Sequence, residues 1–143
     1  MTIDTRDFGN LDVSEEGILH FQAPILGFEG SCEYVVLYDD ELGEMFSWMQ
    51  AVDDKDLCFI TVDPRLVDES YSPSLPGAVR RKLDLKKGEE PVFHVLISIP
   101  NSFKDATANL KSPVIINPKN NKAMQFVLDE DYPVQALLLK EEG

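Results

Sequence analysis

The chain lacks the features that mark several common protein classes. Among its 143 residues there are only two cysteines, Cys32 and Cys58, and two histidines, His20 and His94. They form no CxxC pair or Cys/His cluster, which argues against a structural zinc site, and we predict two free, mostly packed thiols. No apolar run approaches the roughly 18 residues that a membrane span needs. The opening MTIDTRDFGN has neither the basic nor the apolar region of a signal peptide, so we predict a cytoplasmic protein.

Catalytic signatures are missing as well. No serine stands in a nucleophile-elbow pattern, and no glycine-rich loop matches a phosphate-binding or dinucleotide-binding fingerprint. Both histidines fall inside predicted strands, where we interpret them as packing residues rather than general bases. We therefore predict no enzymatic activity, no cofactor and no metal site.

Two acidic clusters leave alternatives open. Each stands between predicted strands: Asp53, Asp54 and Asp56 in one, and Asp129, Glu130 and Asp131 in the other. An EF-hand loop ends in Glu at position 12, but Arg65 stands at position 12 counted from Asp54. We interpret both clusters as solvated turns. The alternatives are a small β-barrel that binds a small ligand or a divalent metal through these turns, and a hydrolase that uses two carboxylates.

Charge is strongly unbalanced along the chain. The net charge is −13, from 26 acidic and 13 basic residues. Residues 1–79 hold 17 acids and 3 bases, a net of −14, whereas residues 80–143 hold 9 acids and 10 bases, a net of +1. Such a surface repels phosphate backbones, which argues against direct nucleic-acid binding. It attracts basic proteins and speeds encounter with them, although acidity also serves solubility alone.

The hydrophobic pattern predicts many short strands. Alternation or short apolar runs cover Ile3–Phe8, Leu11–Val13, Ile18–Gln22, Cys32–Tyr38, Phe46–Val52, Leu57–Val62, Val92–Ile99, Val114–Ile116, Met124–Leu128 and Val134–Leu139. Gly9-Asn10 fits a two-residue hairpin turn between the first two. Strands at intervals of about ten residues indicate a small antiparallel, partly closed β-barrel or sandwich. We predict one such domain over residues 1–143.

Helix signals are few, so we expect one or two short helices. Asp63 followed by Pro64 predicts an N-cap and a helix start, with the helix reaching about Ser70. A second helix is predicted over Pro76–Leu85, with cations in its last turn. Asn101–Asn109 holds a single turn at most.

The stretch Val92–Ile99 has the clearest alternation in the chain. It predicts that one face, formed by Phe93, Val95, Ile97 and Ile99, packs on the core. His94 and Ser98 should then occupy the opposite face.

Three segments in series carry the most specific pattern. FQAPILGFEG contributes Phe21, Pro24, Leu26, Gly27, Phe28 and Glu29. FSWMQAVDDKDLCFITVDP contributes Phe46, Trp48, Gln50, Asp54, Leu57, Phe59, Val62, Asp63 and Pro64. TANLKSPVIINPKNNKAMQFVLDEDYPV contributes Thr107 to Lys111, Pro113, Ile115, Asn117, Gln125, Leu128, Tyr132 and Pro133. Together they resemble the FliW family of flagellar assembly factors, and the likeness covers nearly the whole chain. The region Ser72–Glu90, with its basic run, matches least.

The resemblance implies a small β-barrel-like fold, no enzymatic activity and two alternative partners in the bacterial cytoplasm. One partner is flagellin. The other is CsrA, a small basic RNA-binding dimer that represses flagellin translation. Members of this family bind CsrA, largely away from its RNA site, and relieve repression. Accumulating flagellin takes the factor away. The acidic surface and the missing catalytic signatures agree with such a binding factor.

For the basic regulator we expect contacts from acidic loops in the first part of the chain. The candidates are Asp39, Asp40, Glu41 and Glu44 in one loop, and Asp53, Asp54 and Asp56 in the next. The charge asymmetry motivates this hypothesis, since rim charges steer association. Solvated turns with no partner are the alternative.

For flagellin we expect an apolar contact, because its terminal segments are amphipathic helices that pack only in the filament. The candidates are Ile25, Leu26 and Phe28, which lie beside Gly27 outside any strand pattern. A buried loop would leave backbone groups hard to satisfy, which favours exposure. The alternative is that this loop folds inward and plugs one end of the barrel.

Overall fold

Short strands dominate the fold, as the alternation in the sequence predicts. A computed structural model describes residues 1–39, 43 and 45–138, with the side chain of Phe103 left out. This part contains β1 Thr2–Asp4, β2 Asn10–Asp12, β3 Ile18–Phe21, β4 Glu33–Leu37, β5 Phe46–Ala51, β6 Cys58–Val62, α1 Gly77–Lys82, β7 Val92–Ser98, β8 Thr107–Ala108, β9 Val114–Ile116, β10 Lys122–Gln125 and β11 Ala136–Leu137. Three 3-10 turns cover Glu15–Gly17, Pro64–Leu66 and Phe103–Asp105.

Seven strands close into a barrel in the order β7-β6-β5-β4-β3-β10-β9, with β9 pairing back onto β7. Strand β7 pairs with β6 along one edge, with Val62 opposite Val95. Along its other edge it pairs with β9, with His94 opposite Val114, and then with β8. The predicted barrel is therefore confirmed, and it is closed rather than partly closed. All of these pairs are antiparallel except β3 with β10, which run parallel.

The barrel interior is apolar and receives side chains from all seven strands. Its buried members are Leu19, Phe21, Ile25, Tyr34, Met49, Ala51, Val114, Ile116 and Ala123, with Val36, Leu57, Phe59 and Leu96 packed against them. Because successive side chains in a strand point to opposite faces, each strand gives only every second residue to this core.

Two further cores cover the outside of the barrel. One joins Val62 and Val95 to the segment after β6 and to the C-terminal residues Leu128 and Leu138. The other packs α1, through Val79 and Leu83, onto Ile115 and Met124 of β9 and β10. Strand β7 therefore has cores on both of its faces.

This arrangement changes the predicted orientation of β7. Phe93, Val95 and Ile97 do pack on a core, but it is the outer one. On the opposite face Leu96 joins the interior. The prediction is wrong at Ile99, which lies beyond the end of the strand and is exposed.

The predicted turns and helices are present with shifted bounds. The first hairpin forms, but five residues join β1 to β2, and Gly9 adopts φ +69 where its carbonyl accepts from the Thr5 amide at 2.8 Å. The Asp63 carboxylate caps the next turn, accepting from the Arg65 amide at 3.0 Å, and that 3-10 turn ends at Leu66. Helix α1 forms within the predicted range. The two-residue strand β8 was not predicted.

Asn117 attaches the end of α1 to the barrel. Its buried side-chain amide donates to the Leu83 carbonyl at 2.8 Å, and its oxygen accepts from the Lys119 amide at 3.0 Å. Asn120 reaches the same Leu83 carbonyl from the surface at 3.2 Å. Asn117 thus adds a buried hydrogen bond to the apolar contacts that hold α1 on β9 and β10.

We expect Asn117→Ala to lower the free energy of unfolding by about 1–3 kcal/mol, because the change removes the hydrogen bonds that the buried Asn117 side chain makes to the Leu83 carbonyl and the Lys119 amide. Urea denaturation followed by circular dichroism measures this loss. The matched control is Asn120→Ala, which removes a partly exposed bond to the same carbonyl. Equal losses for the two variants would contradict the structural role assigned to Asn117.

Candidate functional site

The connection between β3 and β4 forms a tight apolar turn at one end of the barrel. The Phe28 amide donates to the Ile25 carbonyl at 2.8 Å, and Gly27 has φ +88, which the third residue of a type II turn requires. Ile25 is 1% exposed and joins the barrel core. Leu26 is 68% exposed and Phe28 is 42% exposed. The turn therefore anchors itself with one side chain and presents two to solvent.

This geometry corrects the predicted set of contacts. Ile25 packs inside the barrel, as the alternative of a plugging loop foresees for one residue, so it offers no surface to a partner. Leu26 and Phe28 are the two of the three candidates that a partner can reach.

An apolar surface adjoins the exposed turn. The ring of Phe28 packs edge-on against Phe59, with centroids 5.0 Å apart. Phe59 also borders a shallow cavity of about 300 Å³, together with Leu96, Ile97 and Val134. Phe59 thus contacts the exposed turn and also lines this cavity.

The acidic turn between β5 and β6 lies at the same end of the barrel. The side chains of Asp53, Asp54 and Asp56 are exposed. The Ser31 hydroxyl donates to the Asp53 carboxylate at 2.9 Å and ties this turn to the β3–β4 connection. The candidates assigned to two different partners are thus neighbours at one barrel end.

Gln50 shapes the acidic turn from beneath. Its buried side-chain nitrogen lies 3.0 Å from the Asp54 carbonyl and 3.1 Å from the Lys55 carbonyl. Its oxygen accepts from the Arg6 amide at 3.0 Å, which also fastens the N-terminal segment to the barrel. Gln50 is one of the residues that carry the family resemblance, and its fully buried side chain supports the acidic turn from inside the protein.

The other acidic loop lies at the opposite end of the barrel. It joins the end of β4 to the start of β5, so all six residues of β5 separate it from the turn of Asp53, a length of roughly 20 Å. Asp39 is half-buried there, while Asp40, Glu41 and Glu44 lie outside the described residues. Asp39 therefore lies at the end of the barrel opposite to Asp53.

A polar cluster occupies the barrel near this second end. The Nδ1 atom of His94 lies 3.2 Å from the Thr61 hydroxyl and 3.4 Å from that of Ser47. Burial lowers the pKa of His94, and the nearby charge of Asp63 only partly opposes this shift. Ser47 and Thr61 are buried, so neither hydroxyl is accessible to a substrate. The cluster is therefore a hydrogen-bonded part of the core.

Neither a metal-binding group of side chains nor a membrane-spanning helix occurs in the described part of the chain. No group of three or more His, Cys, Asp or Glu side chains there is placed to hold a metal ion. No helix in residues 1–39 or 45–138 has the length and hydropathy needed to cross a membrane.

Comparison with known proteins agrees with the resemblance seen in the sequence. The family profile described as FliW protein matches residues 2–138. A flagellar assembly factor FliW of Thermoanaerobacter pseudethanolicus is 32% identical over 99% of this chain and 95% of its own length. That of Caldicellulosiruptor saccharolyticus is 35% identical over 96% and 90%. That of Syntrophus aciditrophicus is 36% identical over 98% and 89%.

A crystal structure of the flagellar assembly factor FliW has the same fold. It superposes with a TM-score of 0.89 at 25% identity, over 100% of both chains. The likeness includes the closed barrel, which carries the two turns at its end.

The burial of His94 predicts that stability falls on acidification. The pKa of His94 is below the usual 6.5 in the folded state. At a pH between the folded-state pKa and 6.5, His94 is therefore protonated in the unfolded chain and neutral in the folded chain. The contribution of neutral His94 to the free energy of unfolding is complete above pH 6.5, and it is lost as the pH falls toward the folded-state pKa. We expect His94→Gln to show a shallower decline in the free energy of unfolding between pH 7 and about pH 5. Urea denaturation across this range measures it, and parallel curves for the two proteins would contradict the assignment.

Proposed function

This chain belongs to the FliW family of flagellar assembly factors, and on that basis we propose that it binds flagellin and, alternatively, the RNA-binding regulator CsrA. Held by this factor, CsrA no longer represses flagellin translation. Accumulating flagellin then captures the factor and restores repression. The proposed role is partner switching in the cytoplasm, and it requires binding surfaces rather than catalytic groups.

The exposed apolar turn is the observation that carries the flagellin half of this proposal. Leu26 and Phe28 project from a turn whose backbone is fixed by its own hydrogen bond and by the burial of Ile25. A second bond, from the Leu26 amide to the Gln125 side chain at 3.3 Å, holds it to β10. Large apolar side chains held outward on a rigid support are typical anchors for an amphipathic helix.

The acidic turn supports the CsrA half. Its three carboxylates are exposed, and a basic partner would meet them without the cost of breaking existing ion pairs, since no ion pair to these residues occurs among the described residues. Charges at such a rim speed encounter more than they add affinity. The acidic turn is joined to the apolar turn by the hydrogen bond between Ser31 and Asp53. A partner with an interface of ordinary size that binds one turn would therefore also cover the other.

The alternative of a barrel that binds a small ligand or a metal gains no specific support. The barrel interior is filled by side chains. Within residues 1–39 and 45–138 the acidic side chains form no group placed for a metal ion.

We expect Leu26→Ala and Phe28→Ala each to weaken flagellin binding by about 1 kcal/mol or more, as truncation of an interface anchor does. Isothermal titration with purified flagellin monomer measures the change. Val127→Ala is the matched control, because Val127 is 48% exposed and borders neither the turn nor its cavity. Binding to CsrA should change less. Unchanged flagellin affinity in both turn variants would remove this turn as the flagellin site.

Neutralising the acidic turn tests the CsrA half. We expect Asp53→Asn, Asp54→Asn and Asp56→Asn together to slow association with CsrA and to flatten its salt dependence, because rim charges act on encounter. Asparagine keeps the oxygen that accepts from Ser31. A second variant neutralises Asp39, Asp40, Glu41 and Glu44, and Asp129→Asn with Asp131→Asn is the control. Stopped-flow association at low salt gives the rates, and rates unchanged in both loop variants would refute steering by these acids.

A further inference from the structure

We infer that the apolar surface at the barrel end continues along the C-terminal segment as one groove for an amphipathic helix with basic flanks. This inference deepens the flagellin half of the proposed function and rests on it. The groove adds a second part, formed by residues 133–138 and the turn after β6, to the site of Leu26 and Phe28.

Shared lining residues connect the two parts. The cavity beside Phe59 ends at Val134 and Gln135. Gln135 also lines a larger open cavity of about 900 Å³, which Leu66, Pro133 and Leu137 border. A continuous path therefore runs from the apolar turn, past Phe59 and over Gln135, to Leu137.

Backbone hydrogen bonds hold the C-terminal segment, and two of its apolar side chains, Val134 and Leu137, are exposed, whereas Leu138 is buried. The Leu110 amide donates to the Pro133 carbonyl at 3.0 Å, and the Leu138 amide donates to the Ala106 carbonyl at 2.9 Å. Between these two bonds Val134 is 56% exposed and Leu137 is 53% exposed. Exposed apolar residues that gather along a groove indicate an interaction surface, whereas single ones do not.

Charge around the groove points to the kind of segment that would fill it. Asp68 and Glu69 border the larger cavity, and among the residues that the structure describes no lysine, arginine or histidine lines either cavity. The acidic turn lies at the other end, tied to the β3–β4 connection through Ser31. An occupant with an apolar face and lysine or arginine beside it would complement both ends.

The groove suits a helix better than an added strand. Strand β11 forms the open edge of the sheet, but it has only two residues, Ala136 and Leu137. So short an edge offers few main-chain hydrogen bonds to an added strand, which depends on them for affinity. A helix instead binds through side chains at i, i+3, i+4 and i+7, which separated apolar sites such as Leu26, Val134 and Leu137 can receive.

Isothermal titration with purified flagellin monomer tests the groove by comparing the affinities of the Val134→Ala and Leu137→Ala variants with that of the unaltered chain. We expect each variant to raise Kd about fivefold or more, whereas Val127→Ala, a similarly exposed valine outside the groove, should leave it within about twofold. We also expect Glu69→Lys to weaken binding most at low salt. Thermal melting checks that the surface changes leave the fold intact.

The outcomes separate this inference from the proposed function. If Leu26→Ala weakens binding but Val134→Ala and Leu137→Ala do not, the site ends at the barrel turn and the extended groove is refuted. If the unaltered chain does not bind flagellin, the proposed function fails and the groove loses its occupant. Reduced affinity in the Val134 and Leu137 variants, with normal melting and an unchanged Val127 control, supports the groove.

Discussion

The rest of the structure depends on one strand that pairs along both of its edges. By joining β6 on one side and β8 and β9 on the other, β7 closes the seven-stranded barrel, and of the described strands of this sheet only the short β11 is left as an open edge. Closure gives seven strands a common interior. It also leaves the outer face of β7 available for a second core, which fixes the C-terminal segment against the barrel wall. The positions of both parts of the inferred groove, the turn of Leu26 and Phe28 and the segment 133–138, thus depend on β7.

The apolar turn balances two opposing demands. Ile25 stabilises the barrel by filling its end, while Leu26 and Phe28 remain in water at a cost in solubility that the acidic surface offsets. Gly27 makes the sharp reversal between them without backbone strain. A turn held in this way loses little freedom when a partner binds, and such preorganisation favours affinity. Gln50 fixes the backbone of the neighbouring acidic turn in a similar way, by donating a hydrogen bond to the Asp54 carbonyl.

Period-two alternation located most strands to within two residues and predicted the barrel, because burial on one face leaves a local pattern. It could not assign the faces of β7, since that strand packs on cores at both faces and Leu96 points into the barrel. Strand β8 is too short to leave a pattern. The parallel pairing of β3 with β10 joins residues about a hundred positions apart, and no local signal encodes it.

The candidate site was predicted only in part, for a related reason. Residue type and the absence of a strand pattern were enough to single out the turn of Leu26 and Phe28. They could not show that Ile25 turns inward, because that depends on the barrel end it fills. Nor could they show that Asp39 and Asp53 lie at opposite ends of the barrel. In the sequence, Val134 and Leu137 have only the pattern of strand residues. The fold brings Val134 to the cavity lined by Phe59 and Leu137 to the cavity lined by Leu66.

Amide hydrogen exchange of the chain, alone and with flagellin monomer bound, tests most directly whether the barrel end and its groove hold the client. If they do, exchange slows in residues 22–32 and 133–138, where a bound helix would cover the backbone. Helix α1, on another part of the barrel wall, keeps its exchange rate. Protection confined to α1, or to the loop after β4 at the opposite end, would contradict that placement.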